Sequence, residues 1–122
     1  MDKKTKNFDE GLESLIKLGL VKKTKKNAVI TDEAANGICE GIMEIGYRDP
    51  CFAINSPNQE LLDASILLTV SSRKPHIEED ELVKCCSVFS LIVPEKEKLF
   101  KIINELKTEF KKDYYKSRVE IV

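Results

Sequence analysis

The stretch Asn58-Gln59-Glu60-Leu61-Leu62-Asp63-Ala64-Ser65-Ile66-Leu67-Leu68-Thr69-Val70-Ser71 decides the fold class. It holds no glycine or proline. On a helix, Leu61, Leu62, Ala64, Ile66, Leu67, Leu68 and Val70 cover most of the circumference. A helix that is apolar nearly all round belongs at the centre of a domain, so the spacing predicts a central helix over about 59–71, capped by Ser56 or Asn58. Arg73-Lys74-Pro75 breaks the pattern. Glu78 to Asp80 then open a second such helix through Leu82, Val83, Cys85, Cys86, Val88, Phe89, Leu91, Ile92 and Val93, with few polar positions after Lys84.

Amphipathic elements surround this pair. Phe8, Leu12, Leu15 and Ile16 recur on one side of a helix from Phe8 to Leu18, which Gly19 ends. Leu20-Val21-Lys22-Lys23, the polar tip Thr24-Lys25-Lys26-Asn27 and Ala28-Val29-Ile30 read as a short β-hairpin. Thr31 is an N-cap with Asp32 and Glu33 in the first turn behind it. That helix carries Ala34, Ala35, Ile38, Cys39, Ile42, Met43 and Ile45, with Gly37 and Gly41 four apart on one face. This spacing implies a close helix crossing, inside the fold or at a subunit contact. Gly46 and Asp49-Pro50 stop the helix at about Tyr47. Residues 48–58, with two prolines, read as an ordered loop or short extended piece. Pro94, read as a first helical residue, starts the longest helix, whose stripe of Leu99, Ile102, Ile103, Leu106, Phe110 and Tyr114 makes it a covering element. Val119, Ile121 and Val122 alternate like a strand.

The expected architecture is therefore all-α, mainly helical, with about five helices and a small β-hairpin. It forms one compact domain over residues 1–122, with residues 1–7 flexible. A chain of 122 residues supports one core, and 42% hydrophobic with 34% charged residues excludes global disorder. A net charge of −1 excludes a whole-body attraction to nucleic acid or anionic lipid. No apolar run is long enough for a membrane span, and the charged start Met1-Asp2-Lys3-Lys4-Thr5-Lys6 is unlike a secretory leader, so a cytoplasmic location and no membrane partner are expected.

Catalytic and metal chemistry find little support. Cys39, Cys51, Cys85 and Cys86 are separated by 12, 34 and 1 residues, unlike zinc-ligand spacing, and read as reduced thiols. Cys51, in Asp49-Pro50-Cys51-Phe52, is the one placed for exposure. His76 is the only histidine. Glu79 and Asp80 follow within one turn, an arrangement that a helix start adopts for dipole compensation. There is no Glu-x-x-His pair, no Gly-x-Gly-x-x-Gly and no phosphate-binding Gly-Lys-Ser/Thr loop. No catalytic, cofactor-binding or metal-binding residues are predicted, and no cofactor.

One local pattern points elsewhere. Leu18-Gly19-Leu20-Val21-Lys22-Lys23, then Lys25-Lys26-Asn27-Ala28-Val29-Ile30-Thr31-Asp32-Glu33, resembles the end of a winged helix-turn-helix domain. In such domains a helix closes on Leu-Gly-Leu-Val, a basic hairpin forms the wing, and a Thr-Asp/Glu pair opens the next helix. The resemblance covers about a fifth of the chain and implies a wing that touches phosphates through Lys22, Lys23, Lys25 and Lys26. Residues 1–31 carry eight lysines against four acids, net +4, which leaves −5 for residues 32–122. A second basic group, Lys111, Lys112, Lys116 and Arg118, would strengthen that reading if it joined the first in space.

Two nearly all-round apolar helices are hard to cover in so small a chain. The favoured expectation is a non-catalytic protein-protein interaction or regulatory module, homodimeric, with Leu67, Val88, Phe89 and Ile92 at the interface. The alternative is a winged-helix-like, nucleic-acid-binding transcriptional regulator that uses the hairpin lysines.

Overall fold

The computed structural model describes the backbone of residues 3–121 and the side chains of residues 7–116. The order is α1 (Lys3–Lys17), β1 (Val21–Lys23), β2 (Ala28–Ile30), α2 (Asp32–Arg48), α3 (Pro50–Asn55), α4 (Asn58–Arg73), α5 (Glu79–Ile92) and α6 (Lys96–Ile121). It is a single compact, mainly helical domain with one small antiparallel hairpin, as the sequence predicts. Packing runs from α1 to α5, α4, α2 and α6, with α3 against α2 and α6.

Helix α1 ends in a Schellman motif. The Leu20 N–H donates to Leu15 O at 3.1 Å and the Gly19 N–H to Ile16 O at 3.1 Å, with Gly19 at φ +78°. A side chain is strained in that conformation, which is why glycine stands there. The chain turns into the hairpin, where Val21 pairs with Ile30, Lys22 with Val29 and Lys23 with Ala28. The tip closes through the Thr24 N–H to Asn27 O at 2.7 Å and the Asn27 N–H to Thr24 Oγ1 at 3.0 Å. Thr31 has two roles. Its Oγ1 accepts from the Ala34 N–H at 3.2 Å, capping α2 as predicted, and donates to Gly19 O at 2.9 Å, tying the hairpin to the end of α1.

Gly37 and Gly41 of α2 lie inside the fold. A methyl at Gly37 would meet Thr69 Cγ2 at 3.0 Å, and one at Gly41 would meet Ser65 Oγ at 2.6 Å. Helices α2 and α4 therefore approach through small residues. The buried Ser65 hydroxyl donates to Ile38 O across the contact, and Thr69 Oγ1 donates to Ser65 O at 2.8 Å. The core they enclose includes Leu15, Leu20, Ile38, Ile42, Leu61, Leu62, Ile66, Val70, Phe89 and Ile103, all essentially inaccessible.

Several boundaries differ from the sequence reading. Helix α1 starts at Lys3 rather than Phe8, so the expectation of flexibility over residues 1–7 falls partly on this helix and partly on Met1 and Asp2, which lie outside the described residues. The segment read as a loop contains α3. There the Asp49 side chain accepts from the Phe52 N–H at 3.1 Å and Pro50 occupies the first helical turn, which offsets the shortness of the helix. Ser56 closes α3, while Pro57, without a side-chain cap bond, precedes α4. Pro94 does not open α6. Glu95 stands between them at φ +50°, and its carbonyl accepts from the Lys98 N–H at 2.9 Å, so the helix begins at Lys96. Val119, Glu120 and Ile121 continue α6 instead of forming a strand, since so short an alternation does not override an established helix. Val122 lies outside the described residues.

Candidate interaction face and basic hairpin

Helix α5 has one face in the core and one on the surface. Cys85, Val88 and Phe89 are buried, while Val83 is 58% and Leu91 73% exposed. Val83, Ser87 and Leu91 recur every four residues and form one outward ridge, spanning about 12 Å. On one side α1 runs antiparallel to it. The Lys84 ammonium donates to Glu10 at 2.6 Å, and Gly11 lets the helices close, since a methyl there would stand 2.7 Å from both Lys84 O and Val88 Cγ2. The Glu10 hydrogen bond holds the Lys84 pKa above the usual lysine value. Between the helices lies an apolar groove of about 430 Å³ lined by Asn7, Phe8, Val83, Ser87 and Leu91 among others. On the other side, Asp63 and Ile66 of α4 with Cys86, Ser90 and Leu91 line a second groove of about 350 Å³. Leu67 of α4 is 44% exposed. The ridge thus stands between two furrows.

The four residues expected at an interface separate. Val88 and Phe89, 3% and 0% exposed, belong to the chain's own core, and Ile92 is half-buried against it. Of the four, Leu67 alone is exposed. Sequence reading missed Phe8, Val83 and Leu91. Asp80, Lys84 and Ser87 fall on one side of α5, but so few polar positions in so apolar a helix do not fix which side stays uncovered.

The hairpin lysines Lys22, Lys23, Lys25 and Lys26 are all exposed, and none makes an ion pair among the described residues. They form a compact positive tip. Lys111, Lys112 and Lys116 of the second basic group do not join them, and the Arg118 side chain lies outside the described residues. The hairpin abuts the start of α2, whereas Phe110 of α6 packs on Gly46 near its end, and α2 holds 17 residues, a length of about 25 Å. The outer side of α1, the helix preceding the hairpin, exposes Asp9 and Glu13. Carboxylates there oppose approach to a phosphate backbone.

Other candidates remain apart. His76 is exposed, with no ion pair to Glu79 or Asp80 among the described residues. Glu81 pairs instead with Lys74, whose ammonium donates at 2.9 Å and holds the Glu81 carboxyl below its usual range. Among the described residues no three His, Cys, Asp or Glu side chains come together as metal ligands would. All four cysteines are free thiols. Burial pushes the Cys85 thiol up and the Cys86 thiol up to about 11, which disfavours the thiolate at both. No helix among the described residues is long and apolar enough to cross a membrane. Compared with protein-family models, curated proteins and solved structures, the chain gives no match.

Proposed function

We propose that this chain is a non-catalytic interaction module that pairs with a second copy of itself across the outer face of α5. The observation that carries the reading is the exposed apolar ridge Val83-Ser87-Leu91 between two furrows. Such relief is self-complementary. The ridge of one copy fits a furrow of the other, as helices pack ridges into grooves, and the small Ser87 at its midpoint permits close approach. Charge selects the sense of the pairing. Glu78, Glu79 and Asp80 are exposed at one end of the ridge, so parallel copies would oppose like charges, and antiparallel copies keep them apart.

Light scattering coupled to size exclusion tests this reading directly. The native protein is expected at twice the chain mass. Leu91→Glu is expected at the chain mass with an unchanged circular dichroism spectrum, because Leu91 contributes little to the core. In the antiparallel pair Ser87→Cys lies near the two-fold axis and links to its own copy on mild oxidation, identified by the 87–87 peptide. A native chain that stays monomeric at high concentration overturns the proposal.

The hairpin supports a second reading, contact with phosphates of a nucleic acid, because its four lysines are exposed and make no ion pair among the described residues. Binding that weakens steeply with salt and vanishes when those lysines are replaced by alanine would establish it.

A further inference from the structure

At the end of the domain far from the hairpin, aromatic side chains meet where α2, α3 and α6 converge. Phe110 seats its ring against Gly46, so closely that a methyl there would lie 2.1 Å from Phe110 Cζ. Tyr47, one residue on, stands edge-on to Phe110 with ring centroids 6.0 Å apart and planes at 70°. Tyr114, one turn beyond Phe110, is half-buried, and its hydroxyl lies 3.5 Å from the Cys51 thiol on α3. Together with Pro50, Gly46 and Asp113 these three rings line a recess of about 300 Å³.

Three features bear on what fits there. Tyr47 is 67% exposed, far more than packing against Phe110 requires, so much of its ring is available to a ligand. The Asp113 carboxylate is exposed on the rim and makes no ion pair among the described residues. Glu44 pairs with Arg48 at 3.1 Å and Glu109 with Lys112 at 3.6 Å, so the carboxylates nearest the rings are Asp113 and Asp49, while Lys111 and Lys116 are exposed on the same stretch of α6. An aromatic wall attracts a cation through its negative ring faces, most strongly when the cation is large and weakly hydrated, and a carboxylate beside the rings adds to that attraction. A compact ammonium such as lysine's keeps its water shell and gains less. A recess of this size also lies at the small end of ligand sites, about 300–1,000 Å³.

We infer that the recess formed by Tyr47, Phe110, Tyr114 and Asp113 binds a quaternary ammonium group. The group is carried either by a free small molecule of the choline type or by a trimethylated lysine side chain. The site lies on α2 and α6, whereas the pairing face is built on α1, α4 and α5, so its occupation and self-association are separate properties.

Choline and its uncharged isostere 3,3-dimethylbutan-1-ol decide the matter when titrated into the full chain under two-dimensional NMR of the aromatic resonances. Choline is expected to shift Tyr47, Phe110 and Tyr114 saturably, and the isostere about five- to thirty-fold more weakly, the ratio that a cation–π contribution of about 1–2 kcal/mol confers. Tyr47→Ala is expected to abolish the shifts and Tyr47→Phe to retain them. Because Tyr47 is mostly exposed, both variants fold, which the unperturbed remainder of the spectrum verifies. Asp113→Asn is expected to weaken binding several-fold. Trimethyllysine in the same titration identifies the source, since the tighter of the two carriers of the head group is the fitting one. No saturable shift with either cation overturns the inference, as does equal binding of the uncharged isostere.

Discussion

The inner and outer faces of α5 are built from the same kinds of residue and have opposite fates. Val88 and Phe89 disappear into the core, while Val83 and Leu91, within two turns of them, remain on the surface. Hydrophobicity alone does not separate the two sets. What separates them is the placement of neighbours: α1 and α4 flank the helix and α2 lies beyond α4, so one side is enclosed and the opposite side has nothing against it among the described residues. An apolar side chain gains about 25 cal/mol per Å² only when another surface removes it from water. The inner face already has that surface, and the outer face acquires it in the proposed pair.

This contrast is open to direct attack by truncating one residue from each face. Phe89→Ala removes a fully buried ring and is expected to lower the unfolding free energy by about 3–5 kcal/mol in urea titration. Leu91→Ala, compared at a dilution where native chain and variant are both monomeric, is expected to change it by no more than about 0.5 kcal/mol. If both variants lose comparable stability as monomers, the outer face is not a free surface and the pairing proposal loses its basis.

How the sequence records this contrast explains what was legible in it. The central position of α4, the hairpin register, the Thr31 cap and the Gly19 stop all follow from short-range rules that need no knowledge of neighbours. The phase of α5 does not. With Leu82, Val83, Cys85, Cys86, Val88, Phe89, Leu91, Ile92 and Val93 in one run, periodicity has almost no polar positions to fix it, and only tertiary packing picks the buried side. For the same reason α3 was hidden, since two prolines obscured a six-residue helix that depends on the Asp49 side chain and on packing of Ala53. The aromatic recess is nonlocal as well. It joins Tyr47 to residues more than sixty positions later, and no pattern in sequence brings them together.

The contact between α1 and α5 sharpens the comparison from the side. Gly11 permits it, and the obstacle to a larger residue is mainly backbone, with Lys84 O and Val88 Cγ2 each 2.7 Å from an added methyl. Gly11→Ala therefore cannot be absorbed by a rotamer change. It is expected to push α1 outward, widen the groove lined by Phe8 and Val83, and cost about 1–3 kcal/mol of stability. The same displacement lengthens the Lys84–Glu10 contact, which native-state hydrogen exchange along α1 would report as faster opening of residues 7–17. Unchanged exchange there would mean that the two helices are not held by this crossing.

The smallest effect concerns the thiols, two of which lie on α5. Cys85 faces inward and Cys86 is half-buried beside Asp63, whereas Cys51 on α3 is exposed. Burial disfavours the thiolate, and the charge of a neighbouring Cys85 or Asp63 adds to that penalty at Cys86, raising its pKa to about 11. A free cysteine ionises near 8.5, so between about pH 8.5 and pH 11 the unfolded chain has released this proton and the folded chain has kept it. In that window the unfolded state binds fewer protons, and stability falls as pH rises. Iodoacetamide at pH 8 is accordingly expected to label Cys51 first, with Cys85 and Cys86 modified only as the chain opens. Mass spectrometry of the labelled peptides over time measures the order. Prompt labelling of Cys85 would place it on the outer side of α5 and invert the assignment of the two faces, while slow labelling of Cys85 and Cys86 that accelerates in Phe89→Ala ties their protection to the inner core itself.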